Sequence, residues 1–133
     1  MRFGLDTNTC IDAMKGVRPG LAERFAEHAP EDIVVPSMVR AELLLGALKS
    51  NRPKENSRLV ERFLEPYQVI PFDREAGDHY ADIRSTLESK GLVIRPNDLV
   101  IAATARSRGL TLVTRNTVEF ERVAGLQIED WST

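Results

Sequence analysis

The sequence predicts an α/β fold, a central and mostly parallel sheet of about five strands with helices on both faces, and three observations predict it. Short apolar or β-rich runs (FGL, IVV, VI, LTLVT and LQI) alternate with longer segments of helical periodicity. The chain has 133 residues with 42% hydrophobic content, enough for one core and too little for two, so a single domain over 1–133 is expected. No internal repeat, linker or low-complexity stretch divides it. In such a fold, right-handed crossovers bring the carboxyl ends of the parallel strands to one rim, where ligands bind.

Phe3-Gly4-Leu5 reads as a buried first strand ending at Asp6. A short helix from about Thr9 to Met14 stops at Gly16, and Pro19 opens a second that runs to about His28. Ile33-Val34-Val35 is the second strand, ended by Pro36, after which Ser37 is expected to cap a helix carrying Glu42. Pro53 begins the next helix, through Leu59, Val60, Phe63 and Leu64, forming a basic-tipped hairpin with the one before. Val69-Ile70 is a third strand. Asp73 caps a helix from about Arg74 to Lys90, closed by Gly91, with Ala76, Tyr80, Ile83 and Leu87 on its packed stripe. Asn97 is expected to cap a helix from Asp98 to Ser107, stopped by Gly109. Leu110 to Thr114 is a strand of strong β character, Leu126-Gln127-Ile128 a short edge strand, and Trp131 packs the tail.

Composition removes several function classes. The lone Cys10 excludes an internal disulfide framework and a cysteine zinc site. His28 and His79 read as ordinary helix-surface residues, too few and too scattered for a histidine metal site. Any metal would be held by oxygen, meaning magnesium or manganese. With no signal peptide and no apolar run long enough to cross a bilayer, a cytoplasmic protein without a membrane partner is expected. A formal net charge of −2 argues against coating nucleic acid by bulk electrostatics, though not against a nuclease with cations gathered at its cleft. The candidates for contacting RNA are Lys15, Arg18, Lys49, Arg52, Lys54, Arg95 and Arg115; each also reads as a solvated surface charge.

Three acidic residues stand out by position. Asp6 follows the first strand, where Asp6-Thr7-Asn8 also reads as a plain helix-capping turn. Glu42 lies between Met38 and Leu48, where the only other charge is Arg40; so apolar a helix is expected to be largely buried, and its carboxylate needs a metal, a wet cleft or an arginine partner. Asp98 sits in a first helical turn, where the macrodipole alone favours it by about 0.3–1 kcal/mol. If the first strand and LTLVT are neighbours, Asp6 and the Thr114 to Asn116 turn flank the point where strand order reverses. Acids converging there would repel one another, and a divalent cation resolves the repulsion.

Asp6 in LDTN, Glu42 in SMVRAELLLGA, Asp98 in PNDLVIAATARSRGLTLVT, and Asn116 with Glu119 and Phe120 in TRNTVEFERV together resemble the PIN-domain ribonucleases. They resemble closely the VapC toxins of bacterial toxin–antitoxin pairs, in order over almost the whole chain. The resemblance implies a three-layer α/β/α sandwich, magnesium-dependent endoribonuclease activity with manganese as an alternative, a homodimer, and inhibition by a VapB-type antitoxin in a higher-order complex. It carries catalytic and metal-holding roles onto Asp6, Glu42 and Asp98, with Thr7, Asn8 and Thr114 as supporting residues. The family often has a fourth acid where this chain has Asn116; Glu119 then substitutes for it, or Asn116 orients a ligand or water. LDTN and TRNTVEFERV are most similar to VapC proteins that cut initiator tRNA in the anticodon loop. In-line attack by a metal-activated water, leaving a 5′-phosphate and a 3′-hydroxyl, is the implied reaction.

Other chemistries fit less well. A haloacid-dehalogenase-type phosphatase wants a second aspartate where Asn8 stands, a signalling receiver wants a lysine after its last strand, and no Gly-rich phosphate loop is present. A catalytically silent module that binds RNA or protein, and a nuclease acting on messenger or ribosomal RNA, stand as the alternatives.

Overall fold

The computed structural model describes residues 2–132, so the two ends of the expected 1–133 domain lie outside the described residues. The strands are β1 (Phe3–Leu5), β2 (Ile33–Pro36), β3 (Gln68–Ile70), β4 (Thr111–Val113) and β5 (Gln127–Glu129). The helices are α1 (Thr7–Lys15), α2 (Pro19–Ala26), α3 (Ser37–Leu48), α4 (Pro53–Leu64), α5 (Arg74–Ser89), α6 (Pro96–Ser107) and the single turn α7 (Thr117–Phe120).

All the strand pairings are parallel, in the order β3-β2-β1-β4-β5. Every residue of β1, β2 and β4 is buried, which an open parallel sheet achieves only when helices cover both faces, and this is the expected three-layer sandwich. The edge strands β3 and β5 expose part of their length instead. Phe3, Ile33, Val34, Leu112 and Val113 on the sheet join Val39, Ile83, Ile101 and Ala102 from the helices in one core. Trp131 is buried against Phe3 and Phe25 and stacks on His28 at 5.0 Å, so His28 belongs to the packing of the tail and is no free helix-surface residue. His79 likewise accepts a hydrogen bond from Arg106 Nε at 2.9 Å.

Local chemistry sets the ends of the helices. Gly16 and Gly109 take φ of 65°, the left-handed region open to a residue without Cβ, and close α1 and α6. Asp73 caps α5 by accepting from Ala76 N at 3.0 Å, as expected. Two expected caps are corrected: Ser37 and Asn97 are the first and second residues inside their helices, behind Pro36 and Arg95, and neither α3 nor α6 has a side-chain cap. Their first turns are entered from an extended Pro36 or through Pro96, whose missing N–H removes a donor that would need a cap. The expectation that α3 is largely buried also fails, because Leu45 and Leu48 are 56% and 64% exposed. Among the described residues no helix is long and apolar enough to cross a membrane.

β1 sits where strand order turns round, since β2 and β3 lie on one side of it and β4 and β5 on the other. The carboxyl ends of β1 and β4 thus open a crevice at the rim. Asp6 N donates to Val113 O at 3.1 Å, tying the two strand ends together just where the chain leaves the sheet.

Candidate active site

Asp6 is placed by β1 and held by α1. Its Oδ1 accepts from Thr9 N at 2.8 Å, so the capping role proposed for the Asp-Thr-Asn turn is real, and α1 begins at Thr7, two residues earlier than expected. Capping and a place in the cleft are compatible, because one carboxylate oxygen satisfies the helix and the other is left over. Asp6 is only 4% exposed. Burial pushes its pKa above the ordinary value, and hydrogen bonding from Thr114 and Thr9 and the charge of Arg115 only partly offset this.

Asp98 enters from the first turn of α6 and is 6% exposed. Its Oδ2 accepts from Arg95 Nε at 3.1 Å. Desolvation raises its pKa; the Arg95 hydrogen bond and charge oppose the rise, and the neighbouring Glu119 adds to it. Glu42, on the second turn of α3, is half-buried and receives Thr7 Oγ1 at 2.6 Å and Asn97 Nδ2 at 3.2 Å. Among the described residues it makes no ion pair, so the arginine partner that its helix allowed is absent.

These three carboxylates, separated by 36 and 56 residues in the chain (6 to 42, 42 to 98), line one cavity of about 90 Å³. Thr7, Asn8, Arg95, Asn116 and Phe120 complete its wall. Asn116 Nδ2 donates to Glu119 Oε2 at 2.7 Å, and Glu119 Oε1 accepts from Arg95 N at 3.1 Å. Asn116 therefore faces the cavity, with Glu119 standing behind it next to Asp98. Thr114 Oγ1 accepts from Asn116 N at 2.9 Å and shapes this turn.

The donor set fits a hard divalent cation better than any other ligand. It consists of oxygen atoms, two of its acids are buried, and the sole cysteine is inert because burial pushes the Cys10 thiol well above its ordinary range. Among the described residues no three His, Cys, Asp or Glu side chains close a metal shell by themselves. A cation held here would keep most of its water, as magnesium does.

The expected cations divide. Arg95 is tied to Asp98, Arg52 to Glu55 at 3.3 Å, and both Arg18 and Arg115 to Asp12 at 3.0 and 2.8 Å. Lys15, Lys49 and Lys54 are exposed. Arg18, Arg95 and Arg115 therefore correct the expectation of free surface charges, because each is paired with a buried acid. Sequence reasoning missed Asp12 and Asn97. The partners of Asp12 lie 6 and 103 residues away and the partner of Asn97 lies 55 residues away, so no local pattern carried either.

Comparison with known proteins identifies the family. A family model described as PIN domain matches residues 4–126. The chain is 42% identical over 132 residues to the tRNA(fMet)-specific endonuclease VapC of Shigella flexneri, covering 99% of each chain. It superimposes with a TM-score of 0.93 on a chain of VapBC2 from Rickettsia felis bound to a promoter DNA fragment, at 35% identity and covering 98% of this chain and 99% of that one. A chain of DNA-bound VapBC from Salmonella typhimurium gives a TM-score of 0.93 at 41% identity, covering 98% of both.

Proposed function

The chain belongs to the PIN-domain family, and we propose that it is a divalent-metal-dependent endoribonuclease of the VapC type, a toxin that cuts tRNA and is neutralised by a VapB-type antitoxin. The single observation that carries the reading is the meeting of Asp6, Glu42 and Asp98 in one cavity at the switch point of the sheet. The tRNA(fMet)-specific endonucleases among the relatives support the substrate, and initiator tRNA cut in the anticodon loop is the specific target we infer.

Asp6 and Asp98, buried on the cavity wall, are the residues that would hold magnesium or manganese, with Glu42 completing the set. When bound, the cation would polarise the phosphate and lower the pKa of a water beside it. Thr7 and Asn97 fix the Glu42 carboxylate from its two oxygens, which orients it to accept the proton of the attacking water. The water oxygen then bonds to phosphorus in line with the breaking P–O3′ bond. The 3′ oxygen leaves with the bonding electron pair and takes a proton from solvent water, giving a 3′-hydroxyl and a 5′-phosphate. Asn116 and Glu119 hold the far wall, Glu119 through the Arg95 backbone.

A groove of about 750 Å³ along α3 and α4 reaches Glu42 and is lined by the exposed Leu59 together with Leu43, Val60 and Phe63, which supports a protein partner on this face, antitoxin or a second copy. Cytoplasmic action follows from a tRNA target. The experiment is cleavage of folded tRNA by the purified protein with magnesium and with chelator, followed by mapping of the cut ends. Cleavage that survives chelation sinks the metal role; binding without cleavage in magnesium leaves the silent module; cuts confined to messenger or ribosomal RNA in cells move the target.

A further inference from the structure

Asp12 is the buried acid that the cleft does not use. It lies on α1 six residues after Asp6, about 9 Å farther along the helix axis, and is 7% exposed. A single oxygen, Oδ2, accepts from Arg18 Nε at 3.0 Å and from Arg115 Nε at 2.8 Å. One guanidinium would suffice to neutralise this carboxylate, and a second beside the first adds repulsion. The second is Arg115, the residue between Thr114, which is bonded to Asp6, and Asn116, which lines the cavity.

Both arginine side chains keep 40% of their surface exposed. Because Asp12 takes only their Nε atoms, the terminal N–H groups of both remain available, and among the described residues they bond to nothing else. The trio carries a net positive charge, and Arg115 joins it directly to the turn that lines the crevice. Two guanidiniums with free ends, side by side, match the oxygens of a phosphate.

We propose that Asp12 is a positioning residue, yoking Arg18 and Arg115 into a paired contact for an RNA backbone phosphate that flanks the one cut in the acidic cleft. The proposal rests on the nuclease reading for the identity of its ligand. It makes a prediction opposite in sign to simple electrostatics. Asp12→Asn removes a negative charge from beside the cleft, so bulk attraction alone would tighten RNA binding, whereas loss of the yoke weakens it.

The test measures binding of a fluorescein-labelled single-stranded RNA to the full chain in excess chelator, where no cutting interferes. We expect Asp12→Asn to weaken binding about tenfold, the loss typical of a charge-assisted contact. In the cleavage assay with magnesium, KM should rise more than kcat falls. Arg115→Lys, which keeps the charge at an exposed position but gives up the paired donors, should weaken binding in the same direction and serves as the test if Asp12→Asn fails to fold. Binding equal to or tighter than wild type by folded Asp12→Asn, or wild-type binding by Arg115→Lys, overturns the proposal. A wild-type protein that cuts no RNA, with binding still weakened by Asp12→Asn, would instead sink the nuclease reading and leave the yoke standing.

Discussion

Asp6 and Asp98 in the cleft, and Asp12 beside it, are buried to nearly the same degree at 4%, 6% and 7% exposure, yet their surroundings differ in kind. Two arginines share Asp12, while Asp6 is met by a backbone amide and hydroxyls, and Asp98 by one largely exposed arginine. Burial raises the pKa of both cleft acids. An acid whose charge is answered by the protein is a structural part. An acid left short of positive charge is a standing cost to the fold, lifted when a cation arrives.

The largest effect should separate these two kinds of site. Asp6→Asn should reduce RNA cleavage on the order of 10³-fold, comparable to losing a preorganised charge-stabilising group. Because Asn caps a helix as well as Asp, the same change should raise the melting temperature of the protein in chelator. A chelated Asp6→Asn protein that melts below wild type would break the contrast. Asp12→Ala should act the other way, destabilising by about 1–3 kcal/mol in denaturant titration, below the full cost of breaking a buried pair because its arginines are part-exposed.

Metal should sharpen the comparison further. At about a hundred times its dissociation constant, magnesium should stabilise the wild type by about 2.7 kcal/mol, or roughly 5–10 °C. Asp98→Asn should lose much of this gain and Asp12→Asn none of it, as read by thermal melts. The smallest effect is on pH. Asp6 and Asp98 have raised pKa values, so the cost of their burial is absent below the ordinary 3.8, where the folded and unfolded forms are both protonated, and grows as pH rises through the folded values. In chelator, the stability gap between Asp6→Asn and wild type should be widest at neutral pH and close on acidification. A gap independent of pH would mean that the charge of Asp6 is not its cause.

Much of this was legible in the residues. FGL, IVV and LTLVT are apolar and β-rich enough to be strands wherever they pack, and Gly16, Pro19, Pro53 and Gly109 punctuate helices by restrictions internal to the backbone. Ser37 and Asn97 misled because a good capping residue caps only if the chain turns just before it, and in both helices a proline had already set the turn. The apolar run of α3 misled for another reason. Hydrophobicity records what a helix could bury, and Leu45 and Leu48 face outward in this chain. The acids Asp6, Glu42 and Asp98 could be picked out singly, but each had a local explanation until β1 was seen beside β4.

By itself, then, the sequence determined the class of fold, the order of its elements and the identity of the acids, because these follow from propensities acting over a few residues. Only the tertiary structure decided that Asp6 lies beside the end of β4, that Glu42 is held by Thr7 and Asn97, and that Asp12 gathers Arg18 and Arg115. Those contacts join residues far apart along the chain, and their energies depend on burial and charge that exist only once the sheet has closed.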